Sequence, residues 1–390
     1  MILLNAETRS LKRASIVMKR VVGFEVSTNT IERIALEVGN DLEAAEQNRW
    51  RSVLAGEVPV PSLAIVEFDG GRIRTRKAGC GPGVHLDGKG WNETKNAIFV
   101  SAISKTSSAD PHPAPPACFL DPGHVAKLTE HAQTKEKQGG NDSLLEDEEE
   151  SLEDENAVDN SDHKPKRILR TVISSMKNST EFGHQMRRET DRRRFDEAGR
   201  RAFVADGLTC NWTIHAEHFA SYVPILDFTH AVSYLFTASV ACFGKTEAAW
   251  TNYVAWMTLV WQGKVAHVIG TLRSHQMRIG LPPDDVAEDD PRELLRRVIG
   301  YLANNRGRMH YDTYRRQGLP TTSAWMESAV KEMNLRIKGT EMFWNNPAGA
   351  EAILQIRSAS LSDDDRLVRL LTKRPGQSTL RQKSALEQAG

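Results

Sequence analysis

Three short apolar runs that each hand over to an aspartate limit what this chain can fold into more than any other feature. Leu63 to Phe68 leads into Asp69-Gly70-Gly71, "AFVADG" contains Asp206, and "VPILDF" contains Asp227. Runs this short, closed by turn-forming residues, suit buried strands rather than helices. After the first, Arg72, Arg74 and Arg76 alternate so that all three fall on one face of a second strand. "WNETKNAIFVSA", from Trp91 to Ala102, reads as a third, and the series predicts an antiparallel meander. A helix around Ile214 to Phe219 separates the two later runs. Strand, strand, strand, helix, strand, helix, strand is a mixed α/β plan.

Helical spacing governs the flanks. From Arg9 to Trp50 two helical runs meet at Gly23, and the second opens behind Ser27-Thr28-Asn29-Thr30, a good helix cap. Helix, glycine turn and capped helix also outline a helix-turn-helix, in which the Asn29 to Ala45 helix would read DNA. Phe195 to Ala202 is helical in pattern. From His230 to Tyr301 the period is helical throughout, with Trp250, Trp256 and Trp261 expected in the core. A further helix starts near Ser323, after Gly318-Leu319-Pro320, and the final residues read as a polar, frayed end.

Charge divides the chain. Lys plus Arg and Asp plus Glu number 51 each. Eleven of the acids lie between Asn141 and His163 with no Lys or Arg among them, leaving 40 acids against 51 bases elsewhere. A basic body with one acidic appendage suggests a polyanionic partner. The segment from Ser104 to about Lys166 is first proline-rich and then acidic, too poor in apolar surface to offset the entropy of ordering, so Gln133 to Lys166 is expected to be disordered. No apolar run approaches the ~18 residues of a membrane span. The basic residues between Met1 and Arg20 break up any secretory signal. Four cysteines without CxxC spacing speak against disulfides and a zinc knuckle. The cytoplasm suits this pattern.

Asp69 and Asp206 share one local design, an apolar strand followed by an acid and a glycine. Either alone is at home as a turn residue. Together on neighbouring strands, with Glu327 early in the helix after Gly318-Leu319-Pro320, they would make the oxygen-only shell that Mg²⁺ prefers. Two ions held by such a shell activate the attacking oxygen and stabilise the leaving oxygen of a phosphodiester. Asp227 competes with Asp206, but His230 lies about one helical turn on, and the two are expected to hydrogen-bond and anchor the helical segment. His215, Glu217 and His218 lack the spacing of an HExxH zinc site and read as helix-surface residues.

Read in order, "VEFDGGRIRTR", "WNETK", "VADG", "VPILDFTHAVSYL", "RMHYDTYRRQGLP" and "MESAVKEMNLRIKGTEMFW" resemble the insertion-sequence transposases of the ISKra type, relatives of the Mutator-like elements. The resemblance covers roughly Ser27 to Trp344 without the acidic insertion. It implies an α/β fold, an RNase H-like mixed sheet flanked by helices, interrupted by an all-helical insertion and preceded by the helix-turn-helix-like segment. It implies a DDE enzyme whose acids are Asp69, Asp206 and Glu327, with two Mg²⁺ ions for which Mn²⁺ substitutes. The Asp227-Phe228-Thr229-His230 stretch matches the [CD]xxH motif of the Mutator-like relatives, a supporting element rather than a ligand set.

On this reading the substrates are double-stranded element ends and target DNA, the working form is a homo-oligomer on bacterial DNA in the cytoplasm, and no membrane is involved. Arg72, Arg74, Arg76, the cluster containing Arg192, Arg193 and Arg194, and Lys338 would contact phosphates, with Lys331 and Arg336 as weaker candidates. The expected organisation is helical over 1–55, catalytic core over 60–103 and 167–230, a largely disordered insertion over 104–166, a helical insertion over 231–318, the helix of the third acid within 319–350, and a tail over 351–390.

Overall fold

The computed structural model describes residues 1–47, 59–76, 90–137, 162–338 and 343–374. Five strands form one mixed sheet: β1 (Leu63–Arg74), β2 (Trp91–Ile103), β3 (Lys166–Ser175), β4 (Arg200–Ala205) and β5 (Val223–Leu226). Their order across the sheet is β3-β2-β1-β4-β5. β2 runs antiparallel to β1 and to β3, whereas β4 runs parallel to β1 and to β5. Leu63 to Phe68 are buried, as expected of a central strand covered on both sides.

The strand count is as read from the sequence, but its members differ. β1 does not turn at Asp69-Gly70-Gly71. Its pairing with β2 continues through Asp69↔Asn96, Gly70↔Lys95 and Gly71↔Thr94 as far as Arg74↔Trp91. Glycine serves there for close approach, since a Cβ on Gly71 would lie 2.8 Å from Thr94 Oγ1. The third antiparallel strand is instead β3, which buries Thr171, Ser174 and Ser175 beside Val172 and Ile173, and so presents no apolar run. Phe195 to Ala202 is not a helix: after a short turn at Phe195–Glu197 it enters β4.

The N-terminal helices are α1 (Ile2–Glu7), α2 (Leu11–Val17) and α3 (Thr28–Gln47). Gly23 takes φ +72° and the Ser27 hydroxyl accepts from Thr30 N–H, the local outline expected. α4 is Pro122–Lys137, α5 (Ser179–Arg192) joins β3 to β4, and α6 (Thr209–His218) joins β4 to β5. Four helices follow, α7 (Phe228–Phe243), α8 (Glu247–Trp261), α9 (Val265–Ile279) and α10 (Pro291–Asn305), then the short α11 (Tyr311–Arg316). α12 (Ala324–Ile337), α13 (Pro347–Ser360) and α14 (Arg366–Lys373) complete the order. Trp256 and Trp261 are buried as expected, and no helix among the described residues is long and apolar enough to cross a membrane.

Two expected loose segments are built into the body. Residues 104–137 dock on the helical layer: Asp110 pairs with Arg315, Trp261 Nε1–H donates to the His112 carbonyl, and Tyr253 O–H donates to the Phe119 carbonyl. Phe119, in the turn just before α4, and Val125 within it are buried, so this segment has apolar anchors despite its proline-rich approach. Residues 138–161, with most of the acidic run, lie outside the described residues. The expected tail contains α13, which buries Ala350, Ile353, Leu354 and Ile356. A Cβ on Gly39 would stand 2.6 Å from Ala352, so α3 and α13 cross in near backbone contact. Residues 375–390 lie outside the described residues.

That crossing changes the reading of α3. Its Ile31, Ala35, Val38 and Leu42 face the core. Its acids meet basic partners of this same chain: Glu37 meets Arg33 and Arg374, Asp41 meets Arg374, Glu43 meets Lys177, and Glu46 meets Arg188. A helix so placed packs one face against the core and pairs its acids within the chain.

Candidate active site

β1 and β4 pair in parallel as far as Phe68↔Ala205. Asp69 is the next residue of β1 and Asp206 the first residue after β4, so both acids directly follow the last paired positions. Both acids line one cavity of about 510 Å³, together with Arg72, His230, Tyr301 and Lys338. Asp206 also does the local work its Asp-Gly setting predicts: its Oδ1 accepts from Leu208 N–H at 2.9 Å and from the Asn211 amide. Gly207 is required by a neighbour, because a Cβ there would lie 2.2 Å from the Tyr301 ring. Tyr301 stacks on Tyr234 with ring centroids 3.6 Å apart. Burial raises the Tyr301 hydroxyl well above its usual range, with Tyr234 and Asp206 pushing the same way.

α12 forms another wall of the cavity through Val330, Met333, Asn334 and Ile337. Glu327 sits three residues before Val330 and seven before Asn334, on the same helical stripe. The cavity lining does not include Glu327 itself. Among the described residues, no three His, Cys, Asp or Glu side chains are gathered into a ready metal group. The donor chemistry nevertheless suits a hard cation: the acids of the cavity and of the adjoining helix stripe offer oxygen only.

Asp227 is not part of that cavity lining. It caps α7 by accepting from Thr229 N–H at 2.9 Å, and its other oxygen accepts from the Ser323 hydroxyl. The expected Asp227–His230 hydrogen bond is therefore not made. The two Asp227 oxygens are taken by Thr229 N–H and the Ser323 hydroxyl, while His230 lines the cavity with Asp69 and Asp206.

Sequence reasoning missed Glu67. Inside an apolar strand it is fully buried, and its Oε2 accepts from Met326 N–H at 2.7 Å. Burial pushes its carboxyl well above the usual range; the Met326 N–H opposes this, and Asp227 and Glu327 add to it. An acid interrupting "LAIVEF" two residues before Asp69 was the available signal.

The basic residues divide. Arg72 and Lys338 line the cavity. Arg74 lies over the Trp91 ring, 5.3 Å from its centroid, and Arg76 is exposed. Arg192 and Arg193 retain only 4% and 1% of their exposure, which corrects their expected role on DNA. Arg192 pairs with Glu189 and donates to the Glu46 carbonyl, and Arg193 donates to Thr171 and Ser101. Arg366 and Asp364 complete this interior network around Glu189. Burial alone would raise the Glu189 carboxyl, but Arg366 and Arg192 outweigh it and hold it far below the usual range. Arg194 pairs with Glu197 at the surface, Lys331 is exposed, and Arg336 is buried against Asn5. His215, Glu217 and His218 form no metal group: His215 bonds to the Tyr222 carbonyl, and the His218 ring meets His184 edge-on.

No protein-family model matches the chain, and no match is found among curated proteins.

Proposed function

We propose that the chain is a DDE transposase that hydrolyses a phosphodiester at an insertion-sequence end and then joins the freed strand to target DNA. The observation that carries this reading is the cavity shared by Asp69 and Asp206 on adjacent parallel strands, walled by the helix that bears Glu327. The strand order, with β2 antiparallel to its neighbours, supports an RNase H-like core. Five helices, α7 to α11, stand between β5 and α12, an arrangement compatible with a helical insertion between the proposed second and third acids.

In the first step a water oxygen attacks the phosphorus and the P–O3′ bond breaks, leaving a 3′-hydroxyl and a 5′-phosphate. In the second, that 3′-hydroxyl attacks a target phosphodiester; a new P–O3′ bond forms and the target strand leaves as a 3′-hydroxyl. Asp69, Asp206 and Glu327 would hold Mg²⁺, with Mn²⁺ as substitute, which supplies activation of the attacking oxygen and charge stabilisation at the leaving one. Arg72 and Lys338 lie where non-bridging phosphate oxygens would enter the cavity, and Arg74 at the end of β1 and Arg76 just beyond it would extend that contact. Ser323, held by Asp227, fixes the start of α12. Double-stranded element ends and target DNA are the substrates, and pairing two ends calls for more than one copy of the chain.

The test is Mg²⁺-dependent nicking of a labelled element end by wild type, Asp206→Asn and Asp227→Asn. Loss in Asp206→Asn with end binding kept supports the assignment. If Asp227→Asn is dead and Asp206→Asn is not, the second acid has been misassigned. The alternative is a copy that binds DNA without cutting; it is the outcome if wild type binds ends and never nicks them.

A further inference from the structure

We propose that Glu67 is a positioning residue that seats the first turn of α12 and so sets where Glu327 stands relative to Asp69 and Asp206. The inference rests on the transposase reading for what Glu327 does, but not for the seating itself.

Glu67 and Asp69 are two apart on β1 and therefore leave the strand on the same face. Asp69 opens into the cavity, while Glu67 is fully buried beneath α12. The first turn of a helix leaves backbone N–H groups in need of acceptors, and the residue before the helix usually supplies one from its side chain. Here it does not. Ser323 precedes α12 but makes no side-chain cap bond, because its hydroxyl points to Asp227. The acceptor comes instead from the sheet: Glu67 Oε2 takes the Met326 N–H at 2.7 Å. Phe228 N–H to the Thr321 carbonyl ties down the approach to the same turn.

A carboxyl is a costly choice for a cap at such depth. Its second oxygen, Oε1, is buried without a hydrogen-bond partner, and Asp227 and Glu327 are close enough to act on its charge. A position selected for packing alone would be filled by an apolar residue continuing the run from Leu63 to Phe68. What an acceptor adds at this point is a fixed link between the strand of the first acid and the residue immediately before the third.

The experiment uses the full chain and three variants. Glu67→Gln keeps an acceptor of the same length, Glu67→Leu keeps the volume and removes it, and Glu67→Asp keeps it but withdraws it by one methylene. Nicking of the labelled end, its dependence on Mg²⁺ concentration, end binding, and hydrogen exchange of the amides from Met326 to Val330 are read together. Glu67→Gln is expected to retain most of the nicking and the slow exchange. Glu67→Leu should lose about 10²-fold in nicking, the penalty of a misplacement near 1 Å, with faster exchange at Met326, a raised Mg²⁺ requirement and unchanged end binding. Glu67→Asp should fall between them, and it carries the test if the leucine variant does not fold.

Equal loss in the Gln and Leu variants with slow exchange kept in both would overturn the proposal, because Glu67 would then act on the chemistry directly. Wild-type behaviour of Glu67→Leu in every readout would also overturn it. If wild type itself does not nick, the transposase reading falls, and exchange at Met326 alone decides the seating: faster in Leu and not in Gln supports it, unchanged in both rejects it.

Discussion

Arg72 and Arg74 on β1 with Arg76 just beyond it, and Arg192, Arg193 and Arg194 at the end of α5, look equivalent in the sequence, yet the fold uses them in opposite ways. The β1 group alternates with Ile73 and Thr75, which are buried, so the arginines keep to the other face. Strand period alone determines that outcome. The three consecutive arginines run off a helix end instead: Arg192 is its last residue, Arg193 its C-cap, and Arg194 turns left-handed at φ +56°. Two of them point inward, where Glu189, Thr171, Ser101 and the Glu46 carbonyl receive them, and only Arg194 stays at the surface. A run of like charge announces a need for partners, and only packing decides whether those partners are phosphates or residues of the same chain.

The contrast can be broken in several ways. The largest effect belongs to the cavity. Asp69→Asn and Asp206→Asn should each reduce Mg²⁺-dependent nicking by at least about 10³-fold, roughly 4 kcal/mol of barrier. End binding should persist, and a variant that keeps nicking would remove the cavity from the mechanism.

Next comes the interior network. Glu189→Gln removes the buried carboxylate that Arg192 and Arg366 share, leaving Asp364 as the remaining close acid of Arg366, and should cost about 3–5 kcal/mol in urea unfolding. Its pH dependence has a definite sign. The folded Glu189 carboxyl lies below its unfolded value, so its contribution is present above about pH 4.3, the ordinary range for Glu, and is lost as pH falls further. Urea midpoints measured from pH 6 downward should fall for wild type and be flatter for Glu189→Gln.

A smaller effect is expected at Gly207→Ala. The added methyl meets the Tyr301 ring at 2.2 Å, and overpacking of this kind costs about 1–3 kcal/mol. Because Asp206 is its neighbour, nicking should fall together with the melting temperature. The smallest effect separates the two arginine groups directly. Arg72→Ala or Arg74→Ala should lower the salt slope of end binding by about 1 each, while Arg192→Gln should leave the slope unchanged.

Where local rules suffice, the sequence is a good guide. The apolar runs of β1, β2, β4 and β5, the Gly23 turn, the helices from His230 to Tyr301 and the start of α12 after Gly318-Leu319-Pro320 all follow from period, turn and breaker signals. It is silent where burial is polar: β3 hides its strand in Thr171, Ser174 and Ser175, and α13 reads as a tail until α3 covers it. It also misleads at Asp69-Gly70-Gly71, where a turn signal lies in a continuous strand because β2 pairs with it throughout.

The acids show the division most clearly. That two strands each deliver an aspartate is written locally, in runs of a few residues, because side-chain alternation and turn chemistry need nothing distant. That Asp69 and Asp206 share a cavity follows from the pairing of β1 with β4. Where Glu327 stands depends on Glu67 and Met326, 259 residues apart in sequence. No periodicity encodes such a contact, because it forms only when the sheet brings β1 beneath the first turn of α12.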